Sequence, residues 1–286
     1  MSATDDCIAK VQALIEKQLQ LLTLSLFICD KGSADFSDEE LACSLSEQVR
    51  TVVASMSLAA GQSVGTILQS TQKRGIPVRD FFPIVRSVVE TFINAAYILA
   101  GGDTLAEKAT RHTQQKFYRD LDKKVGRGEF KLRISANPPP DVAGQVGLRK
   151  AIEEFTTARG REKSWTDDSV PMRIEKIGHA IGAVPASGFL GAYALVYADS
   201  SEIIHGSLFG IQLFYRGRAK PPENVEEFRA LTAQHLEGIL FAAFLALNSY
   251  LRAFCMHQKF SSLDDRLKRF FDEFMDVIGG TEAKGV

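Results

Sequence analysis

Apolar residues recur three or four positions apart along most of the chain, which is the spacing of one buried helix face. In the first such segment, residues 5–28, the series includes Val11, Ile15 and Leu22. The same spacing predicts further helices over residues 37–74, 80–103, 104–124, 145–159, 188–205, 225–257 and 262–278, and one more starting at residues 169–171. No run alternates between apolar and polar residues for long enough to predict a strand. The pattern therefore predicts an all-α fold, a bundle of roughly eight helices.

The same pattern bears on domains and helix ends. The chain shows neither an internal repeat nor a linker, so residues 1–286 are expected to form one all-helical domain. Within it, the helices of residues 5–75 are predicted to pack as a peripheral pair beside a core at residues 77–258. Ser37 with Glu40 three positions later matches a capping box and predicts a helix start. Gly75-Ile76-Pro77 is predicted to end that helix, and the prolines of residues 138–140 indicate a loop.

Two charged residues stand out in the apolar run at residues 81–102. Arg86 and Glu90 are its only charged side chains, and their i,i+4 spacing places them on one helix face. An ion pair among apolar residues is costly unless it is partnered. It therefore indicates either a polar contact that fixes helix packing or a functional site.

A second polar stripe runs along the apolar segment at residues 188–215. Tyr193, Tyr197, Ser201 and His205 follow one another in steps of four. We expect this stripe to face Arg86 and Glu90 across the bundle, so that the two stripes form one cluster.

Composition narrows the possible functions. The chain has 286 residues, 45% hydrophobic and 24% charged, with a net charge of −1, which is typical of a globular protein without general attraction to nucleic acid. Its four cysteines form no metal-binding spacing and predict reduced thiols in the cytoplasm. His-Glu-x-x-His and glycine-rich phosphate motifs are absent from the sequence, so we expect neither a metal nor a cofactor.

The strongest apolar run near the C-terminus, residues 239–247, bears on membrane association. It is well short of the roughly 20 residues that cross a bilayer. The run therefore predicts a buried core helix, and no membrane partner is expected.

A local basic stretch offers a place for RNA. Residues 108–133 contain nine Lys or Arg against three Asp or Glu. Such a stretch suits a phosphate backbone, although a solvated helix face gives the same pattern. The candidate RNA contacts are Lys108, Arg111, Lys116, Arg119, Lys123 and Lys124.

Several of these features occur together in a known pattern. Arg-x3-Glu in an apolar helix, a Trp ahead of P-M-R-I-E-K-I-G, and Y-x3-S-E-I-I-H-G-S resemble a bacterial all-helical family of unknown function. The resemblance covers residues 81–213. It rests on the order of Arg86, Glu90, Trp165, Arg173, Ser201, His205 and Gly206, and it implies an all-helical fold without an assigned activity.

The I-I-H-G-S segment also resembles the end of the HEPN signature, whose domains are helical bundles that include metal-independent RNases of toxin and phage-defence systems. The HEPN motif has an Arg a few residues before its His, but Ser200 and Ser201 occupy that region here. Arg86 could replace the missing Arg only in space. The resemblance implies RNA or a nucleotide as partner and a bacterial defence role, and we also expect a homodimer.

The candidate chemistry is RNA cleavage without a metal. His205 would act as acid or base because its pKa lies near neutrality, and Arg86 would stabilise the charged phosphorane. Glu90 would orient Arg86, while Ser201 or Tyr197 would bind an oxygen or set the histidine tautomer. Two alternatives remain open: a binding pocket for a small ligand or nucleotide, and a structural or interaction protein in which the cluster only fixes helix packing.

Overall fold

Helices dominate the computed structural model, which describes residues 3–71, 78–135, 142, 144–217 and 220–282. The described helices are α1 (Ala3–Lys31), α2 (Glu47–Thr71), α3 (Phe81–Asp120), α4 (Val146–Phe155), α5 (Val170–Ala180), α6 (Ala183–Ile204), α7 (Leu208–Arg216), α8 (Val225–Gln258) and α9 (Ser261–Glu282). Between them lie strands β1 (Ser33–Phe36), β2 (Glu39–Ala42), β3 (Asp122–Arg127) and β4 (Phe130–Ser135), and a 3₁₀ turn at Val78–Asp80. The predicted all-α class is confirmed, with nine α-helices in the described residues against the roughly eight expected.

The backbone groups into two compact units. Unit 1 consists of Met1–Ala100 with Val170–Val286, and unit 2 consists of Gly101–Ser169. Next to the boundary, Gly102 interrupts the helical geometry of α3 with φ 60° and ψ −147°, a conformation that glycine adopts without a Cβ clash. The single domain of residues 1–286 and its peripheral helix pair stay predictions.

The core of unit 1 is built around α8, which packs against α1, α6 and α9. Large aromatic side chains fill it, and the rings of Phe92 and Tyr250 stack with 5.1 Å between their centroids. Phe244 and Phe254 are fully buried on the same helix. Each such side chain contributes about 1.5–3 kcal/mol on burial, so α8 is the element against which the other helices are positioned.

Unit 2 contains the second half of α3, the β3/β4 hairpin and α4. Arg111 of α3 donates to both carboxylate oxygens of Glu154 on α4, with Nε at 2.8 Å and Nη2 at 3.3 Å. Phe155 is buried, and the ring of His112 lies edge-on to it at 5.0 Å. A bidentate ion pair and a small aromatic cluster thus join α3 to α4.

The helix predicted to start at Ser37 is wrong, because this segment forms a β-hairpin. Phe36 pairs with Glu39, and Ser37 takes a positive φ of 55° in the two-residue turn between the strands. Tertiary contacts favour the extended form: Leu41 is fully buried, and Glu39 accepts a hydrogen bond from the Ser262 backbone N–H at the start of α9 at 2.7 Å. These contacts outweigh the local capping signal.

The next helix starts later than predicted. It begins at Glu47, where the Ser46 hydroxyl accepts a hydrogen bond from the Val49 backbone N–H at 3.3 Å. Its predicted end at residues 75–77 lies outside the described residues, as does the predicted proline loop at residues 137–140.

The basic helix predicted over residues 104–124 is wrong only in its last four residues. The helix ends at Asp120, and residues 122–135 form the antiparallel β3/β4 hairpin. Phe130, Leu132 and Ile134 alternate with polar residues at the period of a strand. This run was the signal for the hairpin, and it is too short to stand out from the basic residues around it.

The expectation that no membrane is involved is wrong as well. Three helical segments of the described chain are long and apolar enough to cross a bilayer: Glu47–Thr71, Val78–Asp120 and Val225–Gln258. The apolar run at residues 239–247 is only the centre of a 34-residue helix whose best window has a mean hydropathy of 1.6. Length and composition therefore fit a membrane span, and the length of the central run alone was a misleading measure.

Candidate binding site between helices α3 and α6

The centre of the candidate site is an ion pair on α3. Arg86 Nε donates to Glu90 Oε1 at 3.0 Å. The two side chains are 20% and 33% exposed, while Val85 and Val89 beside them are fully or almost fully buried. The pair therefore lies at the rim of the apolar core, where water reaches both charges.

Two tyrosines of α6 complete the cluster. The guanidinium carbon of Arg86 lies 4.3 Å from the ring centroid of Tyr197. The rings of Tyr197 and Tyr193 stack at 4.2 Å. Burial, together with the nearby Tyr197 and the negative charge of Glu90, raises the pKa of the Tyr193 phenol. The structure thus brings the Arg86/Glu90 stripe against the tyrosine half of the second stripe.

A buried hydrogen bond sets the register of the two helices. The Ser200 hydroxyl donates to the Phe82 carbonyl at 3.1 Å, and the Ser200 side chain is fully buried. Ser200 opposite Phe82 and Tyr197 opposite Arg86 mean that α6 runs antiparallel to α3. Ser200 therefore acts as a positioning residue for the Arg86/Tyr197 contact, a role that the sequence did not indicate.

A second arginine extends the polar face of α3. Arg173 of α5 donates through Nη1 to Asn94 Oδ1 at 2.6 Å. Asn94 follows Glu90 by four residues, about 6 Å along the helix, so Arg86, Glu90 and Asn94 form one row. Sequence reasoning missed Asn94 because it is uncharged, although the step of four from Glu90 was a signal for it.

Ser201 and His205 do not join this cluster. His205 caps the C-terminal end of α6 and is exposed, and Ser201 makes no side-chain hydrogen bond recorded among the described residues. His205 follows Tyr197 by eight residues, which corresponds to about 12 Å along the helix axis. A contact between His205 and Arg86 within one chain is therefore absent from the described structure.

Instead, the residues around His205 form the corner between α6 and α7. Gly206 takes a positive φ of 63°, and the Ser207 hydroxyl donates to Glu202 Oε2 at 2.6 Å while accepting from the Gly210 backbone N–H at 3.0 Å. A Cβ at Gly210 would lie 2.6 Å from the Glu202 carbonyl oxygen, too close for any other residue. Chain geometry thus explains the Glu, Gly and Ser positions of the E-x-x-H-G-S-x-x-G pattern, but not its His.

The candidate RNA-binding residues differ in whether a nearby carboxylate already neutralises their positive charge. Three of them pair with carboxylates: Arg111 with Glu154, Lys116 with Glu162 at 2.5 Å, and Lys123 with Asp120 at 3.6 Å. For Lys108, Arg119 and Lys124, no carboxylate within salt-bridge distance is recorded in the described residues. Pairing weakens the attraction of the stretch for a phosphate backbone, and its RNA-binding role stays a prediction.

The sequence model of DUF5677, a family of unknown function, matches residues 59–219. The chain belongs to this family. The predicted resemblance to an uncharacterised helical family is thereby confirmed. No curated protein and no solved structure matches the chain.

The DUF5677 match encloses the α3/α6 cluster, Arg173 and the α6/α7 corner, and it stops before α8. Membership in DUF5677 carries no activity, so the chemistry must be argued from the site. No group of three or more His, Cys, Asp or Glu side chains in the described residues is placed to hold a metal ion. The arrangement offers a cation held on an aromatic face, which suits binding of an anion.

Proposed function

We propose that the α3/α6 cluster binds a phosphate-bearing ligand, either a nucleotide or the backbone of RNA. The observation that carries the proposal is the state of the Arg86 guanidinium. Its Nε is used by Glu90 and its face by Tyr197. No acceptor for its two Nη groups is recorded among the described residues.

The surroundings favour a phosphate over other ligands. Arginine presents paired donors in a plane and keeps its charge at all relevant pH values, so free Nη groups match two phosphate oxygens. Glu90 and Tyr197 hold the guanidinium in place and thus lower the entropy lost on binding. Tyr193 adds an aromatic ring on which a base can stack.

Catalysis would require a further group. His205 lies at the corner of α6, about 12 Å along the helix from Tyr197. RNA cleavage of the HEPN type therefore stays a hypothesis, and the cluster by itself supports binding. A role in bacterial toxin or phage-defence systems belongs to the same proposal and rests on the resemblance alone. The proposed cytoplasmic location rests on the four cysteines, which show no metal-binding spacing.

The binding proposal is tested by comparing arginines with similar environments. Arg266 also stacks on an aromatic ring, with its guanidinium carbon 5.0 Å from the centroid of Phe270. We expect Arg86→Ala to weaken binding of a labelled single-stranded RNA or of a fluorescent ATP analogue at least tenfold, measured by anisotropy. Arg266→Ala is the matched control and should leave the affinity unchanged. Equal affinity of the wild type and Arg86→Ala would refute the proposal.

A homodimer is the second part of the proposal. Leu208 and Phe209 at the start of α7 are 69% and 56% exposed, and Ile204 before them is also exposed. Neighbouring exposed apolar side chains of this size are common at protein interfaces. Light scattering of the wild type should give the mass of two chains, and Leu208→Asp should give one. A monomeric wild type at micromolar concentration would refute the dimer.

A further inference from the structure

A second cleft of unit 1 lies between the start of α6, the middle of α8 and α9. Its volume is about 360 Å³, which is within the range of small-molecule sites. The cleft is separate from the Arg86 cluster. Gly188 and Gly191 of α6 line the cleft. Tyr193, which stacks on Tyr197 in the Arg86 cluster, follows Gly188 by five residues and therefore points about 140° away from it around the helix axis.

Missing side chains on α6 create the cleft. A Cβ at Gly188 would lie 2.1 Å from Ser249 Oγ, so the Ser249 hydroxyl occupies the space that a side chain at Gly188 would take. A Cβ at Gly191 would lie 3.4 Å from the Leu245 side chain. Without these Cβ atoms, the space beside Leu245 and Phe271 stays open.

The helix directions give the cleft two different ends. A Cβ at Gly182 would meet Met256, and one at Gly188 would meet Ser249, so α6 and α8 run antiparallel. Arg252 is therefore level with the first turn of α6. Leu245 lies at the opposite end of the cleft, about 10 Å further along α8.

The end near Arg252 carries hydrogen-bonding groups with spare capacity. Arg252 donates to Asp264 through Nε at 2.8 Å and Nη2 at 3.1 Å, which leaves its Nη1 group. Ser249 is only 3% exposed, and no hydrogen bond of its hydroxyl is recorded with any described residue. Asn248 gives its amide to the Leu267 carbonyl at 3.2 Å. The Ser249 hydroxyl therefore has unused hydrogen-bonding capacity, and its Oγ faces Gly188 at the cleft.

The first turn of α6 adds a positive electrostatic potential at the same end. Ala183 and Val184 line the cleft, and the residue before them, Gly182, has no side chain with which to cap the helix. The first backbone N–H groups of a helix lack intrahelical partners and favour a negative charge. The helix terminus and the Arg252 Nη1 group thus favour the same ligand charge.

We propose that this cleft binds a small organic acid with an apolar tail, of the size of a medium-chain fatty acid. Its carboxylate lies between Arg252, the Ser249 hydroxyl and the first turn of α6. Its tail extends past Gly188 and Gly191 toward Leu245. The proposal is independent of the phosphate site, which uses another face of α6.

The test uses octanoate as the probe on the full chain, with binding followed by calorimetry and by saturation-transfer NMR. The neutral analogue 1-octanol is the ligand control. Ser187 is exposed at the edge of the cleft, so Ser187→Phe should block it. Ser55 is an exposed serine of α2 outside the cleft residues, so Ser55→Phe is the matched control.

We expect octanoate to bind the wild type and Ser55→Phe equally. Ser187→Phe should lower the affinity at least tenfold, Ser249→Ala should lower it severalfold, and octanol should bind more weakly than octanoate. Arg86→Ala should leave octanoate binding unchanged, which separates this proposal from the phosphate site. The proposal is overturned if the wild type does not bind millimolar octanoate, if octanol binds equally well, or if Ser187→Phe has no effect while circular dichroism shows it folded.

Discussion

Removal of the Arg86 side chain should destabilise the protein by an intermediate amount, which can be estimated from its contacts. The ion pair with Glu90 is partly exposed, so it contributes up to about 1 kcal/mol, the upper value for exposed pairs. The contact with the Tyr197 ring adds about 0.5–1 kcal/mol. Packing of the arginine stem adds a smaller amount. We therefore expect Arg86→Ala to cost about 2 kcal/mol.

Thermal and urea denaturation measure this cost. For a unit of this size, about 2 kcal/mol corresponds to a fall in Tm of about 4–8 °C. Glu90→Gln keeps a hydrogen-bond acceptor for Arg86 and loses only the charge, so it should cost less than about 1 kcal/mol. A double-mutant cycle of Arg86→Ala with Tyr197→Leu should give a coupling of about 0.5–1 kcal/mol. Tyr197→Phe keeps the aromatic face and should leave the coupling with Arg86 intact.

Two results would refute this reasoning in opposite directions. A loss of 4 kcal/mol or more for Arg86→Ala, with a similar loss for Glu90→Gln, would mean that the pair is sealed from water, because an orphaned buried charge costs about 3–5 kcal/mol. A loss below about 0.5 kcal/mol would mean that the arginine is a mobile surface side chain without a fixed position. In that case the preorganised phosphate site would lose its main support.

Three further predictions concern the elements around the site. Ser207→Ala removes the cap of α7 and should cost about 1 kcal/mol in urea denaturation, whereas Ser207→Thr keeps the hydroxyl and should cost less. Hydrogen bonds from Ser262 and Ser261 lower the pKa of Glu39. The wild type should therefore be slightly more stable than Glu39→Gln at pH 7, and this difference should disappear as the pH falls through the lowered pKa. A constant difference in stability down to pH 3 would contradict this prediction. His205→Ala should leave the Tm unchanged because the side chain is exposed, and loss of RNA cleavage in this variant, against an active wild type, would establish catalysis.

The helical periodicity was sufficient to locate α1, α3, α5, α6, α8 and α9, because each has a long apolar face or a clear start or end. It also placed Arg86 opposite the tyrosines. The two hairpins were missed for different reasons. At Ser37 a valid capping signal was outweighed by burial of Leu41, and at residues 122–135 the alternating run is only five residues long. The first hairpin depends on tertiary contacts, which a local sequence pattern does not show. The second has an alternating run too short to be recognised as a strand.

The error in the second stripe has a geometric cause. Residues four apart on an α-helix are rotated by 40° relative to one another and displaced by about 6 Å. Over the 12 residues from Tyr193 to His205, these steps add up to about 120° and 18 Å. Side chains at one end of such a series share a face with their neighbours and not with those at the other end. A spacing of four thus predicted the contact of Tyr193 with Tyr197 correctly and the inclusion of His205 incorrectly.

The faces of α6 could not be assigned from its sequence, because residues 183–198 contain no charged side chain. In a helix without charged residues, the sequence does not mark which side is buried. Here, Tyr197 meets Arg86 of α3, Phe189 and Val196 are buried, and Gly188 approaches Ser249 of α8. Because this part of α6 is uncharged, its sequence did not indicate these contacts. For the same reason, one helix can line both the proposed phosphate site and the proposed acid-binding cleft. Each site takes its charge from a neighbouring helix, from Arg86 of α3 or from Arg252 of α8.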